Sequence, residues 1–123
     1  MKITDVRLEM FKWPRAKPIT NGLYTYTHNL LNLVVIETDA GVTGIGMAAA
    51  VDVTPEIGHA IVTHFRKALI GLDPLDNERI WHEMWRPKLV GRRGITTRVL
   101  GGIDIALWDI KGKALGVPVY ELL

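Results

Sequence analysis

The sequence contains no cysteine, so disulfide bridges and thiolate metal sites are both excluded. It also lacks an apolar run of the roughly 18 to 20 residues that a membrane-spanning helix needs. Neither sign of charge dominates, since 15 lysines and arginines stand against 13 aspartates and glutamates. A net charge of +2 is far below the clustered basic excess of a nucleic-acid-binding domain. We therefore expect no membrane contact and no nucleic-acid partner.

Acidic residues interrupt the start of the chain, where a secretory leader would be continuously apolar. Asp5 and Glu9 follow closely on Met1-Lys2, so we expect no leader and a cytoplasmic location. The chain has 123 residues, of which 48% are apolar and 23% charged, and this composition is typical of one globular domain. It is too short for a complete (β/α)8 barrel, which requires about 200 residues or more.

The first half of the sequence predicts three strands. Apolar and polar residues alternate over Asp5–Met10, as in a half-buried strand. Leu30–Thr38 is β-branched and apolar on both faces except at Asn32, which is typical of a central strand. Asp39–Gly41 has the composition of a three-residue hairpin loop, and Val42–Gly46 returns as the third strand.

The second half has helical periodicity. We expect the first helix to begin at Thr54-Pro55 and to end before Gly71. The second is expected to run from Asp73-Pro74 to Pro87. The third is expected to be capped by Thr96 or Thr97 and to end at Gly116. Three strands followed by three helices are typical of the α+β class. The predicted fold is a three-stranded antiparallel meander sheet followed by three helices packed on one face.

The segment between the first two strands is the strongest candidate for function. From Trp13 to His28 the sequence has no sustained period, and we interpret it as a long, partly stiffened loop. Loops of this length are usually functional or mobile. Hydrogen-bonding and stacking side chains concentrate here, namely Asn21, Tyr24, Tyr26 and His28. An ordinary surface loop could hold the same residues, so the functional and structural interpretations both remain open.

Other polar and aromatic residues favour structural roles. Asp104 and Asp109 do not face one another on a helix, so we expect capping or pairing rather than a metal site. His64 is predicted to lie on an apolar helix face as a packed or snorkelled side chain, and Trp81 and Trp85, at helical spacing, to be core aromatics. No histidine has the spacing of a metal motif.

The last 25 residues carry a long and specific pattern. The small residues of this pattern are Gly101, Gly102, Ala106 and Gly112. Its charged residues are the acidic Asp104 and Asp109 and the basic Lys113, and it ends with Pro118 and Leu122-Leu123. This stretch resembles the signature of the mandelate racemase and muconate lactonizing enzyme group of the enolase superfamily. The N-terminal strand, the hairpin IETDAGVTGIG and the three helices are similar to that family's N-terminal capping domain, so the resemblance covers nearly the whole chain.

The resemblance implies a capping domain over residues 1–116, with 117–123 beginning the connection into a (β/α)8 barrel. It implies an acid-sugar dehydratase or racemase that removes a proton next to a carboxylate, with Mg2+ held by the barrel, and no catalytic or metal-binding residue in this chain. Two lid segments would contact a small carboxylate or acid-sugar substrate. The first carries Asn21, Tyr24, Tyr26 and His28, and the second begins at Met47, an adjustable apolar wall.

Two further expectations follow from this interpretation. A domain that packs on a barrel should expose apolar surface, so we expect a homo-oligomer, or self-association through Val117–Leu123 and the glycine-lined face of the third strand. The alternative is a free-standing interaction or regulatory module with the same fold, binding an acidic partner through its slight basic excess. A reading frame that continues past Leu123 would favour the enzyme.

Overall fold

The fold is a three-stranded antiparallel sheet followed by three helices. The structure is a computed structural model, and it describes residues 1–49, 55–85 and 94–123. The strands lie side by side in the order β1-β2-β3, which is the predicted meander. Their bounds are Ile3–Thr20 for β1, Thr25–Thr38 for β2 and Thr43–Met47 for β3. The predicted α+β class is confirmed.

The predicted loop from Trp13 to His28 is wrong, because β1 and β2 continue through it as a paired hairpin. Pro14 stands opposite His28, and Thr20 stands opposite Thr25. We call residues 12–30 the hairpin arm. Both of its faces are largely exposed, so no apolar alternation marks it as a strand pair. Pro14 and Pro18 are tolerated because β1 is an edge strand. In the described part of the chain no further strand pairs with its outer side, so a missing N–H there removes no inter-strand hydrogen bond.

The helices are α1 Pro55–Leu69, α2 Asn77–Trp85 and α3 Ile95–Leu115, followed by one 3-10 turn at Val119–Glu121. The predicted end of α3 is confirmed, since Gly116 has a φ of 70° and its N–H donates to the carbonyls of Gly112 and Lys113. Among the described residues, no helix is long and apolar enough to span a bilayer. The predicted boundaries at Thr54 and Pro87 lie outside the described residues.

Two predicted helix starts are wrong. Asp73-Pro74 precedes α2 as a turn, in which the Asp73 carboxylate accepts a hydrogen bond from the Leu75 N–H at 3.1 Å. At α3 neither threonine is the cap, since Gly94 occupies the N-cap without a side-chain hydrogen bond. Thr96 is buried in the first turn, so its hydroxyl is not placed at the helix entrance.

The core lies between the sheet and the helices, with α1 against β1, α3 against β2 and β3, and α2 against α3. Its fully buried side chains include Ile3, Val34, Ile36, Leu69, Ile80, Val99, Ile103, Leu107 and Ile110. Gly44 and Gly46 of β3 face α3 directly, and a Cβ at either would collide with the carbonyl oxygens of Ala106 and Gly102. The glycine face of β3 is therefore covered, which corrects its predicted place in a contact surface.

Two aromatic assignments also need correction. His64 is exposed rather than packed, because α1 turns it away from the sheet beside the buried Phe65. Trp81 and Trp85 stack on each other with centroids 5.4 Å apart, but Trp85 remains 36% exposed and only Trp81 packs against the core. Trp85 therefore lies on the outer side of α2 and its predicted core position is wrong, whereas Trp81 packs against the core beside the buried Ile80 and Met84.

Candidate functional site

The tip of the hairpin arm is held by Asn21. Its side-chain oxygen accepts hydrogen bonds from the backbone N–H groups of Leu23 at 3.2 Å and Tyr24 at 2.9 Å. The backbone N–H of Asn21 donates to the Tyr24 carbonyl at 3.1 Å. Gly22 supplies a φ of +87°, which lets the chain reverse direction. An asparagine-glycine pair therefore fixes this turn as an Asx turn.

Two of the predicted site residues meet at this tip. The Asn21 amide nitrogen donates to the Tyr26 hydroxyl over 3.2 Å. Tyr26 is 46% exposed, and it stands opposite Ile19 in the hairpin. Across the same end of the arm, the hydroxyls of Thr20 and Thr25 lie 3.1 Å apart. The tip is thus an ordered structure that presents a tyrosine.

His28 lies on the same face of β2 as Tyr26, because alternate residues of a strand point the same way. Its ring Nδ1 is 2.9 Å from the Thr27 hydroxyl, and its carbonyl accepts a hydrogen bond from the Arg15 guanidinium at 3.1 Å. Arg15 therefore ties β1 to β2 where the ladder is irregular, between Pro14 and Ile19. This contact could not be recognised in the sequence, since it depends on the cross-strand register.

A groove of about 470 Å³ lies at the base of the arm, on the same face of the sheet. It is lined by Met10, Phe11, Lys12, Leu30, Asn32, Pro55 and His59. Along β2, Tyr26, His28, Leu30 and Asn32 form one alternating row that leads from the tip into this groove. The row joins two of the predicted residues to a concavity that offers amide, ammonium and imidazole groups.

Lys12, Asn32 and His59 are groove residues that the sequence analysis missed. A signal existed for Asn32, which is a polar position inside the apolar run Leu30–Ile36 of the predicted central strand and is 4% exposed. Lys12 and His59 come from β1 and α1, and nothing in the linear sequence indicates that they line one groove. Their proximity follows from the packing of α1 on β1.

The charged side chains of the arm are all positive. Residues 10–36 contain no aspartate or glutamate, whereas Lys12, Arg15 and Lys17 all lie in the arm. The acids of the sheet are confined to its other end, where Arg7 bonds Glu9 at 2.8 Å and Glu37 at 2.6 Å. The arm therefore presents a positive, hydrogen-bonding surface that favours an anion.

The remaining predicted site residues lie apart from this row. Tyr24 is 64% exposed at the tip, while Met47 is 55% exposed at the end of β3, opposite Leu33. Seven residues of β2 separate Leu33 from Tyr26, a distance of roughly 23 Å. Ala48, which follows Met47 in the predicted second lid segment, is fully buried against the core. The structure does not bring Met47 to the arm tip.

The two aspartates of α3 have different surroundings. Asp109 accepts a hydrogen bond from the Ile45 N–H at 2.9 Å and pairs with Lys113 at 2.6 Å. Lys113 also donates to the Thr43 carbonyl at 2.8 Å, so this pair joins α3 to the edge of β3 as a structural contact. Asp104 lies in a cleft between α2 and α3 beside Trp108, where burial raises the pKa of its carboxyl.

Divalent metals need several converging oxygen or nitrogen ligands. Within residues 1–49, 55–85 and 94–123, no three histidine, aspartate or glutamate side chains converge in this way. The described residues therefore do not fit a Mg2+ ion, and what they offer are groups that bind and orient an anion.

Comparison with known proteins gives one consistent result. Residues 3–123 match the family model of the mandelate racemase / muconate lactonizing enzyme N-terminal domain. The chain is 46% identical over 88 residues to a D-galactonate dehydratase of Variovorax paradoxus, covering 72% of this chain and 23% of that protein. It is 36% identical over 124 aligned residues to a D-galactarolactone cycloisomerase of Agrobacterium fabrum, covering 100% of this chain and 32% of that protein.

Solved structures of similar proteins superimpose on this chain. An L-talarate dehydratase of Polaromonas sp. JS666, crystallised with Mg and L-glucarate, superimposes with a TM-score of 0.83 and 30% identity over 98% of this chain. A mandelate racemase-like protein of Bordetella bronchiseptica superimposes with a TM-score of 0.90 and 29% identity. The chain spans 34% and 32% of those two proteins, so it corresponds to about a third of each.

Proposed function

The chain belongs to the mandelate racemase and muconate lactonizing enzyme family as its N-terminal domain, and from this premise we propose that it caps the active site of a Mg2+-dependent acid-sugar dehydratase or racemase. The reaction would begin with removal of the proton next to a carboxylate, and a Mg2+ ion held by residues outside this domain would supply Lewis-acid chemistry there. In this proposal both the base and the metal ligands belong to a barrel domain. The capping domain binds substrate and excludes water.

The observation that carries the proposal is the row from Tyr26 through His28 to the groove at Lys12 and Asn32. It places hydrogen-bonding groups and a cation along one face of a projecting hairpin. An acid sugar offers one carboxylate and several hydroxyls, and those groups match a positive surface with donors and acceptors. The relatives named as acting on galactonate, mannonate and galactarolactone support this substrate class.

The partners proposed for this domain are its own barrel and a second copy of the protein. Large apolar side chains are exposed on α3 and after it, with Ile105 at 51%, Leu115 at 54% and Leu123 at 85%. A groove of about 480 Å³ lies between Ile105, Val119 and the β3 edge. Apolar surface of this kind supports burial against another domain.

The deciding experiment is an assay of the protein that contains this domain and whatever its reading frame encodes beyond Leu123. Aldonates and aldarates, including D-galactonate, D-mannonate and L-glucarate, are supplied with Mg2+ and, as a control, with a chelator in excess. We expect turnover of at least one acid sugar, lost with the chelator. A folded protein that turns over none of them, or a reading frame that stops at Leu123, would favour the free-standing module.

A further inference from the structure

The hydrogen bond between Asn21 and Tyr26 has a fixed direction. The Asn21 side-chain oxygen accepts from two backbone N–H groups, those of Leu23 and Tyr24. An amide oxygen can only accept and an amide nitrogen can only donate, so these two bonds fix the orientation of the whole amide. The nitrogen then faces the Tyr26 hydroxyl at 3.2 Å, and Asn21 must be the donor in that contact.

The Tyr26 hydroxyl accordingly accepts from Asn21 and retains its own proton for another acceptor. A phenol carries one proton and can serve as donor and acceptor at once. No carboxylate of the arm can take this proton, because residues 10–36 include no aspartate or glutamate. At 46% exposure, Tyr26 can reach a ligand while still bonded to Asn21.

We propose that Asn21 is a positioning residue that makes the Tyr26 hydroxyl a hydrogen-bond donor to an oxygen of the bound acid sugar. This inference rests on the proposed function. The acceptor is a carboxylate or hydroxyl oxygen, and the cations Lys12, Arg15 and Lys17 of the arm favour the anionic form of that ligand. Asn21 itself acts through Tyr26 and the turn.

Tyr24 provides a matched control within the same turn. It is also a tyrosine, it is 64% exposed, and its contacts with Asn21 are made by its backbone. Replacing Tyr24 by phenylalanine removes a hydroxyl from the tip without removing the bond from Asn21 to Tyr26. Any effect of losing a tip hydroxyl in general would appear in both variants.

The direction of the bond is tested by NMR on the 123-residue chain. We expect Tyr26→Phe to shift the Asn21 side-chain amide protons, because they lose their acceptor, and Tyr24→Phe to leave them in place. Backbone contacts between Thr20 and Thr25 report whether the turn survives. Equal Asn21 shifts in both variants, with the turn intact, would overturn the assigned geometry.

The consequence for substrate is tested by kinetics in the protein that shows acid-sugar turnover. Asn21→Ser keeps an oxygen acceptor for the turn but removes the donor to Tyr26. We expect Tyr26→Phe and Asn21→Ser each to raise KM roughly threefold to tenfold, the range of one hydrogen bond, with kcat changed less than about twofold. The double variant should be no worse than Tyr26→Phe, and Tyr24→Phe should raise KM less than Tyr26→Phe does.

Asn21→Asp is the second variant, used if serine loosens the turn. It keeps the acceptor for the turn but replaces the donor with a carboxylate that accepts a hydrogen bond from the Tyr26 hydroxyl, so KM should rise while the Thr20–Thr25 contacts persist. Multiplicative KM effects in the double variant would overturn the proposal, as would an unchanged KM in Tyr26→Phe. If no acid sugar is turned over, the proposed function fails and the donor role falls with it, whereas the NMR result still decides the bond direction.

Discussion

The β1–β2 hairpin is packed against helices at its base, whereas both faces of the same two strands are largely exposed in the arm. At the base, Val34 and Ile36 are fully buried between the sheet and the helices. In the arm, Ile19 is 52% exposed and Tyr26 is 46% exposed. The backbone pairing runs from base to tip with one irregularity between Pro14 and Ile19, so the arm is held by this ladder and a few side-chain hydrogen bonds, while side-chain packing stabilises the base. Substitutions should therefore affect the free energy of unfolding at the base and ligand binding in the arm.

The largest effect is expected at Gly46 of β3, which pairs with Val34 in the base. Gly46→Ala places a Cβ against the α3 backbone at Gly102, where no flexible side chain can yield, so β3 must move away from α3. We expect a loss of about 3 kcal/mol in the free energy of unfolding, measured by urea denaturation.

Gly101→Ala is the control for this variant, because within the described part of the chain no atom beyond the adjacent backbone of α3 lies within 4 Å of a Cβ added there. Alanine has the higher helix propensity, so this variant should gain up to about 1 kcal/mol. A Gly46→Ala variant as stable as the parent would show that the base is not packed through backbone contacts. The open surroundings of Gly101 also show that only one glycine of the Gly101-Gly102 pair is needed for close packing.

A smaller loss is expected at Gly102. A Cβ there would lie 3.0 Å from Val34 Cγ2 and 3.1 Å from Ala48 Cβ, so the branched side chain of Gly102→Val must displace both neighbours. We expect destabilisation by roughly 1 to 3 kcal/mol, visible as a lower urea midpoint with an unchanged slope. A midpoint at or above that of the parent would disprove close packing on this face of α3.

The ion pair between Asp5 and Arg66 contributes less. The Arg66 guanidinium donates to Asp5 at 2.8 Å and holds the pKa of this carboxyl below its ordinary value. A lowered folded-state pKa means that the stabilisation is present above the unfolded value of about 3.9 and disappears as the pH falls through the folded value. Asp5→Asn should therefore cost less than about 1 kcal/mol at pH 7, because the pair is partly exposed.

The same variant should approach the parent near pH 3, and urea titrations at both pH values measure the difference. Asp39→Asn is a suitable comparison, since the Asp39 carboxylate accepts a hydrogen bond from the Lys2 backbone N–H and forms no ion pair with an arginine among the residues that the structure describes. A stability difference between Asp5→Asn and the parent that stays constant across this range would exclude the ion pair as its cause.

The smallest effect on stability is expected in the arm. Tyr26→Ala removes a half-exposed side chain, and its loss should change the free energy of unfolding by less than about 0.5 kcal/mol. In the protein that turns over acid sugars, the same variant should raise KM or shift the substrate preference, because residues that cover a site act by positioning. Unfolding of Tyr26→Ala would show that the arm belongs to the stability core.

The sequence predicted those features that depend on neighbouring residues. The apolar run Leu30–Thr38, the hairpin loop at Asp39–Gly41 and the stop at Gly116 are all local signals, and the structure confirms each of them. The arm was interpreted as a loop because alternation reveals a strand only when one face is buried. Its strands are recognised by backbone pairing, which depends on the register between distant residues.

The candidate site, too, was predictable only where neighbouring residues carry the signal. Asn21, Tyr24, Tyr26 and His28 were selected for their chemistry, yet the sequence could not show that Asn21 and Tyr26 touch and that Tyr24 stands aside. The groove draws its residues from β1, β2 and α1, so it exists only after the helices have packed on the sheet. Among the groove residues, Asn32 had a signal in the sequence, because it is a polar residue within an apolar run.

The irregular ladder between Pro14 and Ile19 bears on how this domain can change in length. Four residues of β1, 15–18, stand opposite the single position Thr27 of β2, and regular pairing resumes at Ile19 and Tyr26. Insertions or deletions in this stretch would alter the reach and curvature of the arm without a register slip at Val34 or Ile36. The length of the arm can thus change while the inner strands keep one alignment.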